Sequence, residues 1–110
     1  MTPEFQTALR SAQKAVSLNP SLAPARTVLA KLYLEAGQRS EASAECRKAL
    51  EINPDDQTAL YLLIRSLGKT EHKDEIQDLL KRLALARQKA ANKKREENRF
   101  KIIQDEPELK

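Results

Sequence analysis

The sequence predicts an all-α protein, and three observations support this prediction. Ala, Leu, Glu, Lys and Arg, which all favour helices, make up 62 of the 110 residues. Only 12 residues are β-branched and only 4% are aromatic, so the residues that build strands are scarce. The pair Asn19-Pro20 recurs 34 residues later as Asn53-Pro54, and a fixed period of this length is typical of repeat architectures. We therefore expect one small domain built from repeated helical units.

Breaker residues and apolar spacing define five predicted helices. Pro20 and Pro54 cannot continue a helix, so the preceding helices end just before them. Gly37 can adopt a positive φ and is expected to end the second helix. From Lys73 onward apolar residues keep helical spacing, and no breaker occurs before Pro107. The predicted helices cover about 4–18, 23–36, 39–52, 57–69 and 73 onward. If the last helix is continuous to about Ile103, it is about 46 Å long at 1.5 Å per residue. The alternatives are that its end frays, folds back or meets another molecule.

Small, large apolar and turn residues follow a specific order between Ala23 and Asp56: Leu29, Ala30, Tyr33, Gly37, Ala42, Cys46, Ala49 and Pro54. This order resembles a complete tetratricopeptide repeat, a helix-turn-helix unit of 34 residues, over residues 23–56. Arg26 departs from the pattern, because the family has an aromatic residue at that position. Small side chains at Ala30 and Ala42 would let two antiparallel helices approach closely.

The same order continues less completely on both sides of this repeat. Residues 1–22 resemble the second helix and the linker of a preceding repeat, with Phe5, Ala8, Ala12, Ala15 and Pro20 in register. Residues 57–91 resemble a degenerate terminal repeat, in which Ile64 and Ile76 stand where the family has small residues. The resemblance implies an α-solenoid, a short right-handed superhelix of antiparallel helical repeats that ends in a long C-terminal helix. We expect the last repeat to be less closely packed than the complete one.

The resemblance also implies a binding surface. In tetratricopeptide repeats the first helices line a concave groove that binds an extended peptide or a partner segment. By register, the groove residues would be Thr27, Lys31, Leu34, Tyr61, Arg65 and Lys69. Their charge would suit an acidic peptide or a C-terminal carboxylate, although exposed charged residues are also ordinary on a solvated helix face. Some family members hold a chaperone's C-terminal carboxylate with two groove asparagines, and no groove position here is Asn.

Positive charge is concentrated near the C-terminus. Residues 1–80 carry a net charge of −1, whereas residues 81–101 carry a net charge of +7. Clustered Lys and Arg can neutralise phosphates, so nucleic-acid binding by 81–101 is an alternative function. Only Phe100 in this segment could stack on a base, which makes that alternative weaker. The simpler interpretation is that residues 92–110 form a basic, solvated helix extension and tail that cap the array.

Several classes of site are not expected. The single cysteine, Cys46, cannot form a disulfide within the chain, and with the single histidine, His72, it supplies too few ligands for zinc. No glycine-rich phosphate loop or catalytic motif occurs, so we predict no metal, no cofactor and no enzyme activity. We expect Cys46 to be buried as a small apolar residue and His72 to be exposed in a turn. No stretch approaches the roughly 20 apolar residues of a membrane span.

The predicted function is a non-catalytic scaffold for protein–protein interaction. The alternative is self-assembly, as a homodimer or a domain-swapped form, through exposed ends of the array and the C-terminal helix. About three repeats are usually needed to bury a continuous core, and this chain starts in the middle of a repeat. That start also predicts a piece of a longer array. The sequence does not fix the compartment, for which the cytoplasm is the default expectation.

Overall fold

The computed structural model describes residues 2–68 and 71–105, with side chains as far as residue 101, and these residues form five α-helices and no strand. The helices are α1 (Pro3–Leu18), α2 (Ala23–Glu35), α3 (Arg39–Ile52), α4 (Gln57–Ser66) and α5 (Lys73–Asp105). Helices that are consecutive in sequence pack against each other, and α2 also packs against α4. The all-α repeat fold is confirmed. The structure also shows that the last helix is continuous from Lys73 to Asp105.

The fourth helix is shorter than predicted. The sequence predicts that it runs to residue 69, but α4 ends at Ser66 and Leu67 has an extended backbone, with φ −81° and ψ 139°. In this conformation the Leu67 side chain is buried in the core. Gly68 follows it, and glycine costs about 1 kcal/mol relative to alanine inside a helix. Gly68 therefore lies outside the helix on which the register had placed it.

The two turns that contain the repeated Asn-Pro pair have the same hydrogen bonds. The backbone N–H of Asn19 donates to Ala15 O at 3.0 Å, and that of Asn53 donates to Ala49 O at 2.9 Å. Each asparagine side chain then accepts a bond from the backbone N–H two residues later, at 3.3 Å in the first turn and 3.1 Å in the second. Asparagine therefore closes the turn and proline prevents the helix from continuing, as the repeat predicts.

Gly37 ends α2 in the left-handed conformation that the sequence predicts. Its φ is +79°, the only positive φ among the described residues. Its N–H donates to Leu34 O at 3.0 Å, and the N–H of Gln38 donates to Tyr33 O at 2.8 Å. These two bonds form a Schellman motif, which satisfies the last carbonyl groups of the helix and turns the chain into α3.

Replacing Gly37 with alanine is expected to lower the free energy of unfolding by about 1–2 kcal/mol, because a side chain is strained at positive φ. The new methyl group would meet no atom within 4 Å, so the cost comes from the backbone alone. Gly68→Ala is the control, since Gly68 also has open space around its Cα but lacks a positive φ. Urea denaturation measures both variants. Equal stabilities would contradict the assignment.

Small residues form the closest contacts in the core. Ala30 on α2 and Ala42, Cys46 and Ala49 on α3 are fully buried, as the sequence predicts for a seam between two antiparallel helices. Leucines complete the core, notably Leu29, Leu50, Leu60, Leu62, Leu63, Leu79 and Leu83. The apolar core thus runs continuously from α2 to the first half of α5.

Arg26 takes the place of the family's aromatic residue by combining packing with polar bonds. Its side chain is largely buried, and its guanidinium donates to Glu45 on α3 at 2.8 Å. The same group donates to Pro20 O at 3.2 Å. The aliphatic part of an arginine can cover apolar surface much as a ring does. Arg26 therefore joins α2, α3 and the first Asn-Pro turn.

Polar contacts hold the first half of α5 against the repeat. Arg47 on α3 makes two hydrogen bonds to the Glu75 carboxylate, at 2.8 and 3.0 Å, and they hold the Glu75 pKa below its ordinary value. Arg82 donates to Pro54 O at 3.2 Å, and Lys89 donates to Asp55 at 3.3 Å. After Ala86, every residue whose side chain is described is exposed.

Candidate protein-binding surface

An aromatic and cationic pair marks the exposed face of α4. Tyr61 and Arg65 are one helical turn apart, and the Arg65 guanidinium lies 5.8 Å from the centre of the Tyr61 ring. The Tyr61 side chain is 48% exposed, although large aromatic residues are usually well buried. Lys31 on α2 occupies the position equivalent to Arg65 in the preceding repeat and is also exposed. Three of the six predicted groove residues, Lys31, Tyr61 and Arg65, are therefore exposed on α2 and α4.

Two of the other three predicted groove residues, Thr27 and Leu34, present little exposed side chain. Thr27 is only 7% exposed, because its short side chain folds back and donates to Pro24 O at 2.9 Å. Leu34 is half-buried and packs against the core, so it supports the helix instead of facing a ligand. Thr27 and Leu34 therefore offer less side-chain surface than the other described groove residues. Lys69 lies outside the described residues.

A cavity of about 580 Å³ lies beside Arg65. Ile64, Leu67 and Ile76 supply its apolar walls, and Arg39 at the start of α3 supplies a second guanidinium. Ile64 and Ile76 are equivalent to Ala30 and Ala42, which close the seam of the complete repeat. Both isoleucines are only half-buried, which agrees with the predicted looser packing of the last repeat.

The sequence pattern predicts this cavity only in part. The two isoleucines were visible as departures from the family's small residues, but a departure alone does not say whether the space is closed or left open. Arg39 was missed entirely, since it lies outside the groove positions of the family. It comes close to Arg65 only because the start of α3 lies near the end of α4 in the folded chain.

The cations of this surface are not neutralised by acidic neighbours. Within residues 2–68 and 71–101, ion pairs are formed by Arg26, Arg47 and Lys89, and none includes Lys31, Arg39 or Arg65. Three exposed cations with no acidic partner among the described residues give this surface a positive potential, which attracts acidic segments.

Cys46 and His72 lie where the sequence places them. Cys46 is fully buried, and burial raises the pKa of its thiol to about 12, with smaller contributions from the nearby acids Asp56 and Glu45. The thiol is therefore protonated at neutral pH and is a poor nucleophile. His72 is exposed in the turn before α5, with Nδ1 3.9 Å from the Glu75 carboxylate.

The pKa of Cys46 predicts a specific pH dependence of stability. Because the folded-state pKa of about 12 exceeds the ordinary value of 9.0, this thiol stabilises the fold fully below pH 9 and progressively less as the pH rises toward 12. In Cys46→Ala this contribution is absent. The difference in unfolding free energy between the two proteins should change by about 2 kcal/mol between pH 8 and pH 10.5. A constant difference in urea titrations would contradict the prediction.

Residues 87–101 of α5 are exposed and strongly basic. The exposed stretch of residues 87–101 carries seven Lys or Arg and two Glu. The cations are spread around the helix instead of forming one stripe, which is typical of a solvated helix. In the described part of the chain no cluster of His, Cys, Asp or Glu is arranged to hold a metal ion. None of the helices in that part is long and apolar enough to cross a membrane.

The antiparallel helices, the repeated turns and the small residues of the seam define a helical-repeat protein. Within this class, the sequence model of the tetratricopeptide repeat matches residues 23–66, which form α2, α3 and α4. The resemblance drawn from the sequence is therefore confirmed over these residues. Tetratricopeptide repeats generally mediate protein–protein interaction and are typically non-catalytic scaffolds. No match was found among curated proteins.

Proposed function

We propose that this protein is a non-catalytic scaffold that binds an acidic peptide segment of a partner across the exposed faces of α2 and α4. The observation that carries the proposal is the exposed Tyr61 ring beside the Arg65 guanidinium, next to a cavity with apolar walls. Tyrosine and arginine are the residue types most often found at the energetic centre of protein interfaces. A tyrosine presents a large, rigid surface with only two rotatable bonds, so little entropy is lost on binding.

The cavity suggests the chemistry of the bound segment. Arg39 and Arg65 can each donate hydrogen bonds to a carboxylate, and arginine does so with a geometry that lysine cannot match. Ile64, Leu67 and Ile76 can cover an aliphatic side chain. A peptide with an acidic group next to Leu, Ile or Val satisfies both requirements. Lys31, which lies one repeat away on α2, would extend the preference for acidic residues along the peptide.

Selection from a random peptide library followed by fluorescence anisotropy tests the proposal. We expect the selected peptides to be rich in Asp or Glu next to aliphatic residues. Tyr61→Ala and Arg65→Ala should each weaken their binding at least about tenfold, or about 1.4 kcal/mol. Arg10→Ala, which removes an exposed arginine from α1, is the matched control and should bind normally.

Two outcomes would count against the proposal. The surface is not the binding site if the selected peptides bind Tyr61→Ala and Arg65→Ala as tightly as the original chain. The acidic preference is wrong if Asp and Glu are not enriched, or if added salt leaves the affinity unchanged. Light scattering on this chain and on a version ending at Ala91 separates self-assembly, because only assembly predicts a concentration-dependent mass that changes on truncation.

A further inference from the structure

Two guanidinium groups line the cavity of about 580 Å³ beside Arg65. Its described lining consists of Arg39, Ile64, Arg65, Leu67 and Ile76, and none of these residues is acidic. Arg39 is the first residue of α3, and Arg65 lies in the last turn of α4. Within residues 2–68 and 71–101, neither side chain donates a hydrogen bond to a protein acceptor or forms an ion pair. The cavity therefore presents two positive charges to a ligand that enters it.

A single carboxylate would match only half of this charge. The side chain of Asp or Glu carries one negative charge on two oxygens, and one arginine can bind both oxygens in a bidentate pair. The second guanidinium would then have no negative charge to match its own. A phosphate on serine or threonine carries a charge of about −1.5 to −2 at pH 7 and has three acceptor oxygens. It can therefore bind both guanidinium groups at the same time.

Two carboxylates on neighbouring residues would match the charge but not the shape of one cavity. Successive side chains of an extended peptide point to opposite sides, so only one of two adjacent acids would enter. A phosphate places both charges on one side chain. The apolar walls formed by Ile64, Leu67 and Ile76 then remain available for a nearby aliphatic side chain of the same peptide.

We propose that this cavity binds a phosphorylated serine or threonine of the partner peptide, so that phosphorylation of the partner controls binding. The inference rests on the proposed function, because it names the acidic group of the peptide that the exposed faces of α2 and α4 would bind. The contact between Tyr61 and Arg65 supports it, since the ring lies 5.8 Å from the guanidinium and restricts its position before binding. A guanidinium on an aromatic ring keeps N–H groups at its edge that can donate to an anion.

Oriented peptide libraries test this inference. One library has phosphoserine at a fixed central position, and two others have serine or glutamate there, with random residues at all other positions. We expect the full chain to retain the phosphoserine library most strongly and to enrich Leu, Ile or Val near the phosphate. In fluorescence anisotropy, the enriched phosphopeptide should bind at least about tenfold more tightly than two versions of it, one with a single Glu and one with two adjacent Glu.

Two variants separate recognition of the phosphate from recognition of an acidic peptide in general. Arg39→Ala should bring the affinity of the phosphopeptide to within about twofold of that of its single-Glu version, whereas Arg65→Ala should weaken the binding of both. Arg10→Ala, at an exposed arginine of α1, should change neither affinity. Circular dichroism of each variant shows whether the fold is retained.

The other results overturn the inference in distinguishable ways. Equal affinities of the phosphopeptide and its version with two Glu would mean that charge alone decides binding, and so would a phosphate preference that survives in Arg39→Ala. Competition by adenosine monophosphate at the concentration of the phosphopeptide would assign the cavity to a free phosphate ester instead of a peptide. If no library is retained, or if Arg65→Ala weakens neither peptide, the proposed function fails together with this inference.

Discussion

Replacing Leu60 with alanine is expected to lower the free energy of unfolding by about 2–5 kcal/mol, the range seen for fully buried leucines. The Leu60 side chain lies on α4 in the middle of the core cluster and has no exposed surface. Its removal leaves a cavity between helices that are already held apart by well-packed neighbours. Domains of this size are stable by about 5–15 kcal/mol, so the variant should be close to its unfolding midpoint in modest urea.

Leu85→Ala is the matched control for this prediction. It removes the same atoms from a helix, but the Leu85 side chain is 57% exposed. We expect its effect to stay within about 0.5 kcal/mol, as for most surface substitutions. Urea denaturation followed by circular dichroism at 222 nm measures both variants. A similar loss for both would mean that α4 is not the centre of the core.

The sequence predicts α1, α2 and α3 well because local chemistry sets their ends. Asn19 and Asn53 close their turns with bonds to residues only two positions away. Gly37 forms its motif with the last turn of α2. The end of α4 was missed because Leu67 leaves the helix to reach the core, and that choice depends on α5. A local pattern does not contain this tertiary contact.

The proposed binding surface follows from the sequence only in part, for a related reason. Tyr61, Arg65 and Lys31 follow from the repeat register, which fixes the face of each helix. The repeat register does not say how deeply a side chain is buried. At equivalent positions, the short Thr27 side chain is buried and the longer Tyr61 side chain is exposed. Arg39 joins the surface through the meeting of two helix ends. The size and the full lining of this cavity depend on how the helices pack, which the sequence pattern does not contain.

Replacing Ala42 with isoleucine should lower the free energy of unfolding by about 1–3 kcal/mol, the usual cost of inserting methyl groups into a packed core. Ala42 is fully buried on α3, where the seam with α2 is closest. The chain already holds isoleucine at the equivalent position of the last repeat, Ile76, where the helices are looser. The variant therefore places the looser repeat's residue in the tighter one.

Two control variants separate the cost of packing from other effects. The first measures the change in helix propensity alone, and the second measures how well the last repeat accepts a larger side chain. Ala44→Ile makes the same change at an exposed position of α3, so only the modest propensity difference of about 0.4 kcal/mol should remain. Ile76→Phe enlarges the equivalent residue beside the cavity of about 580 Å³, and we expect it to cost less than about 1 kcal/mol. If Ile76→Phe lowers the free energy of unfolding as much as Ala42→Ile does, the last repeat is as tightly packed as the complete repeat of residues 23–56. The cavity beside Arg65 is then too small to admit a peptide side chain.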